Sequence, residues 1–351
     1  MNHRIVFRML GNILRIEAVF LIFPLAIALY TDGGDGKAFL ITLLLTAAVG
    51  QALASRRIGN ERFQARDGFA AVALSWIGMS AFGALPYVLS GAIPDYAGAF
   101  FETVSGFTTT GATVLGDIES LPMGILFWRA LTQWMGGMGV LVLTLALLPK
   151  SGEGSVYLMR AESPGPIKTK LLPKIRDTAK TLYKIYIGLT IGETLCLRLA
   201  GMNWYEALTH SFTTISTGGF SVKAASIAAY PSLTIHWIII IFTFLSGVNF
   251  SLLFLALRRD FSTVLRSEEL RWYTIITLGA TGLIFANLVA VGGQAFSFNT
   301  FTDALFQVVT VATTTGYATQ DFALWPILAQ MVLFTLMISG ACAGSTAGGV
   351  K

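Results

Sequence analysis

The stretch VATTTGYATQD, residues 311–321, lies between two apolar stretches, FTDALFQVV before it and FALWPILAQMVLF after it. Its threonines, glycine and tyrosine are too polar to face lipid, and it is too short to link two domains. The chain around it has the composition of a membrane protein, with 54% hydrophobic residues, 12% charged residues and a mean hydropathy of +0.68. A soluble domain usually carries about 25% charged residues. Irregular backbone at membrane depth is tolerated only where protein buries it or where it lines a watery cavity.

Apolar runs recur along the whole chain, and most are long enough to cross a hydrocarbon core, which takes about 20 helical residues. They predict an all-α integral membrane protein with eight membrane helices. The first is not expected to be a cleaved signal peptide, because no small-residue cleavage pattern follows it. The runs are 16–31, 38–54, 68–91, 123–148, 182–200, 233–257, 273–292 and 325 onward.

Basic residues cluster in every second loop, so the net charge of +5 does not indicate a nucleic-acid-binding surface. The clusters are Arg4, Arg8 and Arg15; Arg56, Arg57, Arg62 and Arg66; eight residues within 149–184; and Arg258, Arg259, Arg266 and Arg271. The loops between them carry acidic residues instead. By the positive-inside rule, this pattern places the amino terminus in the cytoplasm and residues 311–321 on the outer half of the membrane.

Three outer loops share one pattern: PDYAGAFFETVSGFTTTGATV at 94–114, MNWYEALTHSFTTISTGGFSV at 202–222 and FNTFTDALFQVVTVATTTGYAT at 298–319. Each starts with a residue suited to cap a helix and continues for about three apolar turns. Each then ends in Thr-Gly. The expected caps are Asp95, Asn203, and Asn299 or Thr300, and the matched glycines are Gly111, Gly218 and Gly316.

These short segments cannot span the membrane, so they predict re-entrant half-helices that each lead into a turn. Several such turns facing one axis form a ring of carbonyl oxygens that can replace the hydration shell of a monovalent cation. Glycine lets the backbone reach positive φ without a steric penalty. The candidate filter residues are Thr109, Thr110 and Gly111; Ser216, Thr217 and Gly218; and Thr314, Thr315 and Gly316.

The motifs SGFTTTGAT, STGGFS, ATTTGYAT and CAGSTAGGVK, with WRALTQWMGGMGV and LSGVNFSLLF, resemble the Trk/Ktr/HKT superfamily of potassium transporters, and within it the bacterial Trk-type membrane subunit. The resemblance covers nearly the whole chain. It implies two N-terminal helices and then four units of helix, pore helix and helix around a pseudo-four-fold pore. In the present chain the N-terminal region would be 1–66, and the repeats would be 67–149, 150–258 and 259–351. The sequence ends after ISGACAGSTAGGVK, so the fourth unit is expected to be absent.

The resemblance further implies K⁺ as the transported ion, no cofactor in this chain, a homodimer in the bacterial cytoplasmic membrane, and a cytosolic nucleotide-binding regulatory subunit. The basic loops 150–184 and 258–271 would be the surface on which that subunit docks. It also implies a gate loop, residues 340–349, in which Gly340, Gly344, Ser345, Thr346, Gly348 and Gly349 form a flexible break that closes the cavity under the filter. The alternative for these small residues is close helix packing.

Other polar residues in apolar segments have two interpretations each. Asn249 either lines the cavity or makes a hydrogen bond between helices, and Arg129 is expected to face the interior and to pair. Glu193 and Arg198 lie on one helix at a spacing that does not favour a mutual ion pair. The acids of the short helices, Glu102, Glu206 and Asp303, could attract cations or simply favour helix ends. His210 is expected to pack or to donate one hydrogen bond.

Three alternative functions stay open on the sequence. A Na⁺-permeable relative would carry serine at a filter glycine, whereas all three matched positions are glycine here. An intramembrane enzyme would need a nucleophile and base or a metal site, but no GxSxG or HExxH motif occurs and the three histidines are dispersed. A non-conducting fragment or assembly module is the third, because a three-quarter ring cannot close a four-fold filter.

Overall fold

The computed structural model describes residues 2–55, 65–139 and 175–350, and within these ranges all regular structure is helical. The all-α prediction is therefore confirmed. By proximity the described residues form two compact units, one of residues 2–108, 112–139 and 175–180 and one of residues 109–111 and 181–350. Most of the basic stretch 149–184 lies outside the described residues.

Seven complete α-helices lie in the described part of the first unit. They are α1 (His3–Phe20), α2 (Ile22–Thr31), α3 (Gly36–Ala54), α4 (Ala65–Gly83), α5 (Leu85–Ser90), α6 (Tyr96–Phe107) and α7 (Met123–Gly137). Helices α1 and α3 approach closely because glycines face each other: a Cβ on Gly11 would lie 2.7 Å from the carbonyl oxygen of Gly50. Small residues at a crossing point let two apolar helices pack backbone to backbone.

The other α-helices of the described residues lie in the second unit, except that the first of them begins in the first unit with residues 175–180. They are α8 (Ile175–Leu199), α9 (Trp204–Ile215), α10 (Leu233–Ser246), α11 (Phe250–Leu257), α12 (Phe261–Arg266), α13 (Glu268–Ala290), α14 (Phe298–Ala312) and α15 (Ile327–Ser339). Buried side chains of α14 pack on both sides. Phe306 and Val309 lie against Ile239 of α10, and Val308 belongs to a cluster with Leu333 of α15.

Fewer helices qualify as membrane spans than the eight apolar runs predict. In the described part of the chain four are long and apolar enough: His3–Thr31, Gly36–Ala54, Arg66–Ser90 and Glu268–Ala290. A fifth is obtained if α10 and α11, bent by 104°, count as one broken span. Helix length in the described residues therefore supports fewer than eight separate spans, and the run 123–148 extends beyond residue 139, outside the described residues. One reason is that the continuous apolar runs contain backbone breaks, such as the one at 247–249.

Candidate ion pathway

The three Thr-Gly turns share two backbone positions in the left-handed conformation. Each contains a threonine in the left-handed region, with φ of 55° at Thr109, 54° at Thr217 and 57° at Thr314. A left-handed glycine follows two residues later in every turn, at Gly111, Gly219 and Gly316, with φ between 76° and 84°. Left-handed backbone is uncommon for a β-branched residue. Its recurrence at three matched positions therefore marks one turn built three times.

The hydrogen bonds of the second and third turns agree with that register. Gly218 and Gly219 both donate their N–H groups to the carbonyl of Thr213, and Thr315 and Gly316 both donate theirs to the carbonyl of Thr310. Gly218 is thus the counterpart of Thr315, and Gly219 is the counterpart of Gly316. The sequence alignment of Gly218 with Gly111 and Gly316 was wrong by one residue, because STGG offers two glycines and only backbone conformation distinguishes them.

The third short helix begins earlier than predicted. Its cap is Ser297, whose hydroxyl accepts the N–H of Thr300 at 3.2 Å, rather than Asn299 or Thr300. Helix α14 accordingly has 15 residues, where α6 and α9 have 12 each. The expected caps of the other two, Asp95 and Asn203, do accept N–H groups at their helix starts.

The second and third turns touch at the glycine. A Cβ added to Gly219 would lie 2.8 Å from the carbonyl carbon of Thr315 and would overlap its oxygen. By contrast, a Cβ on Gly316 would meet nothing within 4 Å. Gly219 therefore serves two purposes, because it adopts positive φ and also leaves room for a carbonyl oxygen of the neighbouring turn.

Tyr317, directly after the third turn, is fully buried and connects that turn to α9. Its hydroxyl pairs with that of Thr213, contacts that of Thr214 at 3.4 Å and donates to the carbonyl of His210 at 3.2 Å. The tyrosine ring itself packs against the ring of His210. These contacts hold Tyr317 behind the third turn.

The candidate gate loop, residues 340–349, is a compact non-helical loop that begins where α15 ends. A Cβ on Gly340 would lie 2.8 Å from the Cα of Gly349, so the two ends of the loop are held together. The Thr346 hydroxyl lies 3.0 Å from the carbonyl oxygen of Ile215, the last residue of α9. The Gly348 N–H donates to the hydroxyl of Thr314 at 2.8 Å. The loop therefore contacts both the second short helix and the third turn.

The loop is also attached to the break between α10 and α11. Cys342 donates its N–H to the carbonyl of Gly247 at 3.1 Å, and Phe250 donates its N–H to the carbonyl of Gly344 at 3.0 Å. Glu269, in the first turn of α13, accepts the N–H of Ala343 at 2.5 Å. It also accepts the side-chain amide of Asn249 at 3.4 Å.

Known proteins are similar to this one over almost the entire chain. The family model described as TrkH, cation transport protein, matches residues 35–351. The chain belongs to the TrkH family. The Trk system potassium uptake protein TrkH of Escherichia coli (strain K12) is 41% identical, with 100% of this chain and 74% of that protein covered. TrkG of the same strain, also named as a Trk system potassium uptake protein, is 34% identical over 99% of this chain and 72% of its own.

A solved structure agrees with the family assignment. The crystal structure of the potassium transporter TrkH from Vibrio parahaemolyticus matches with a TM-score of 0.85 and 34% identity, covering 99% of this chain and 72% of that one. The chain thus spans about three quarters of the length of these TrkH-family relatives.

Three residues of this TrkH-family chain share a position that the sequence did not reveal: Glu102 and His210 were considered separately, and Gln307 was not considered. Glu102, His210 and Gln307 each lie nine residues before the left-handed glycine of their turn, and all three are buried. Each side chain contacts the segment that follows that glycine. Their residue types differ, so matching by identity does not find them, whereas counting back from each glycine would have done so.

The remaining polar residues have structural partners in most cases. Arg129 is buried and pairs with Glu102 at 2.7 Å, which agrees with the expectation that an intramembrane charge is paired. Asn249 caps α11 through the N–H of Ser251 and donates to Glu269 of α13 at 3.4 Å, and its place in the cavity stays a prediction. Arg198 donates to the carbonyl of Met202. Glu193 is buried, and the side chain of Thr214 lies close to its carboxyl group.

Proposed function

We propose that this protein takes up potassium ions across the bacterial cytoplasmic membrane through a filter of backbone carbonyl oxygens. The observation that carries the proposal is the recurrence of one left-handed Thr-x-Gly turn after three short helices in a chain whose relatives are named potassium uptake proteins.

The short helices and their turns together provide the groups that would bind a cation. Each short helix points its C-terminal end, which carries a partial negative charge, toward its own turn. The carbonyls of Thr109, Thr110 and Gly111, and of the matched residues 217–219 and 314–316, would substitute for the water around a dehydrated cation. In the second turn this set includes Gly219 and leaves Ser216 as the helix cap, equivalent to Thr313.

The gate loop supports a second part of the proposal, that residues 340–349 close the pathway directly below the filter. Thr346 and Gly348 contact the end of α9 and the third turn, so the loop occupies the space through which an ion leaving those turns would pass. Glycines at 340, 344 and 349, all with positive φ, provide a backbone that can rearrange without breaking a helix.

The membrane setting completes the proposal. Exposed apolar side chains such as Leu44, Ile77 and Ile276 would face lipid, with the amino terminus in the cytoplasm. The basic residues Arg258 and Arg266 would then face the cytoplasm, where a nucleotide-binding regulatory subunit docks. A homodimer and four pore repeats in the complete transporter belong to the same proposal. Boundaries of the repeats at 66, 149 and 258 stay predictions.

Complementation tests the proposal. The protein, produced from its full reading frame in bacteria that lack their own potassium uptake systems, should restore growth at low K⁺. It should also take up Rb⁺ in preference to Na⁺. Growth rescue with equal Na⁺ and Rb⁺ uptake would replace the proposal by the Na⁺-permeable alternative. Correct membrane insertion without any ion uptake would favour the non-conducting assembly module.

A further inference from the structure

The three residues that lie nine positions before the filter glycines form a repeated contact, which we call the brace position. Glu102, His210 and Gln307 are 0%, 1% and 0% exposed. They stand six residues before the helix C-caps Thr108, Ser216 and Thr313. The 3.6-residue repeat of a helix explains why a side chain at this position faces inward. It does not explain why that side chain is polar in all three short helices.

In the first repeat the brace is charged. Glu102 accepts hydrogen bonds from the Thr113 hydroxyl at 2.9 Å and from the Val114 N–H at 3.0 Å. It also accepts one from the Arg129 guanidinium at 2.7 Å. An ionised carboxylate at this depth needs such partners, because a buried charge without compensation is costly.

In the second repeat the brace is an imidazole. The Nδ1–H group of His210 donates to the carbonyl of Glu206 at 2.8 Å, and this hydrogen bond fixes the ring orientation. Nε2 then lies 3.1 Å from the Ser221 hydroxyl. Ser221 stands two residues after Gly219, just as Thr113 stands two residues after Gly111. The partner hydroxyl is thus at the same position in both repeats.

In the third repeat the matched position after the glycine is Ala318, which has no hydroxyl. Gln307 instead donates to the backbone carbonyl of Gln320 at 3.2 Å. The same segment is held one turn earlier by Asp303, which accepts from the Thr319 hydroxyl at 3.0 Å and from the Gln320 amide at 2.5 Å. The contact is therefore retained although the residue types on both sides have changed.

We propose that the brace residues Glu102, His210 and Gln307 are positioning residues that set the filter carbonyls at the spacing which distinguishes K⁺ from Na⁺. The inference rests on the proposed function of the turns and deepens it. Each brace fixes the segment leaving its turn to the pore helix that enters it, so the short left-handed backbone between them is held at both ends. Loss of one brace residue would let the filter carbonyls of that repeat move closer together and fit the smaller Na⁺ ion.

His210 offers the sharpest test, because the chain itself provides a substitute and a control. His210→Leu removes the brace, whereas His210→Gln installs the residue type that the third repeat uses. Ser211→Ala is the matched control for Ser221→Ala. Ser211 is a buried serine of α9 in the same unit, and its hydroxyl donates to the carbonyl of Ala207 in its own helix at 2.7 Å rather than to a filter segment.

The measurement is the ratio of Rb⁺ to Na⁺ uptake in cells lacking other potassium uptake systems, normalised to the amount of protein in the membrane. His210→Leu should lower the ratio by about two- to tenfold, the range that corresponds to one hydrogen bond. His210→Gln and Ser211→Ala should leave it near the wild-type value. Ser221→Ala should reproduce the effect of His210→Leu, and the double variant should be no worse than either single variant.

Several results would overturn the inference. One is an unchanged ratio in both His210→Leu and Ser221→Ala; another is an equal fall in Ser211→Ala. Reduced uptake at a constant ratio would show a purely structural role. If His210→Leu does not reach the membrane, Ser221→Ala, which removes a single oxygen, decides the question. A wild-type protein that does not prefer Rb⁺ refutes the proposed function instead, so the two failures are distinguishable.

Discussion

Replacing Gly219 with alanine should damage the protein more than the same change at Gly316, although both glycines are left-handed. For Gly316→Ala the cost is conformational only, about 1–2 kcal/mol for a non-glycine residue in that backbone region, because a Cβ there meets nothing within 4 Å. For Gly219→Ala the new Cβ would also lie 2.8 Å from the carbonyl carbon of Thr315 and overlap its oxygen. Overpacking of this kind adds about 1–3 kcal/mol.

The two costs together give about 2–5 kcal/mol for Gly219→Ala, so its thermal transition in detergent should fall well below that of Gly316→Ala. Because the displaced group is a proposed filter carbonyl, Rb⁺ uptake per folded molecule should also fall more in Gly219→Ala. Both quantities can be measured on the purified, reconstituted protein. Equal transition temperatures and equal uptake in the two variants would refute the assigned register and the close approach of the second and third turns.

Three further predictions concern the loop and the buried ion pair. Thr346→Val removes the hydroxyl that contacts the carbonyl of Ile215. At about 1 kcal/mol for one hydrogen bond it should raise Rb⁺ uptake about fivefold if the loop closes the pathway, while a fall in uptake would indicate packing alone. Glu269→Gln weakens the acceptor for the Ala343 N–H and should raise uptake in the same assay, whereas unchanged uptake would separate Glu269 from loop control. Arg129→Met leaves Glu102 buried without its cation and should cost about 3–5 kcal/mol, seen as lower thermal stability. Glu102→Gln in the same chain should recover part of that loss, and additive losses would contradict the pairing.

Much of the site could be predicted from the sequence because Thr-Gly turns after capped apolar segments leave a visible pattern. The positions of all three turns followed from that pattern, and so did the caps Asp95 and Asn203. The one-residue shift to Gly219 could not be predicted, since the choice between adjacent glycines depends on the left-handed conformation of Thr217. Ser297 was missed because three polar residues within 297–300 could each begin a helix, and the extra turn of α14 resolves the choice.

Pairings between residues that are far apart in the chain could not be predicted from the sequence. Arg129 was expected to have a partner, but 27 residues separate it from Glu102, and no helical spacing links the two. Glu269 lies 74 residues before Ala343, and only the folded arrangement of α13 and the gate loop brings them together. The brace position is different, since its constant distance of nine residues from each left-handed glycine is present in the sequence. It becomes visible once the register of the second turn is correct.

We propose that backbone carbonyl oxygens of the three turns bind the transported ion. Anomalous scattering from crystals of the protein grown in Rb⁺ in place of K⁺ tests this directly. We expect Rb⁺ peaks in direct contact with the carbonyl oxygens of residues 109–111, 217–219 and 314–316. Peaks confined to the carboxylates of Glu206 and Asp303, with none at these carbonyls, would contradict it.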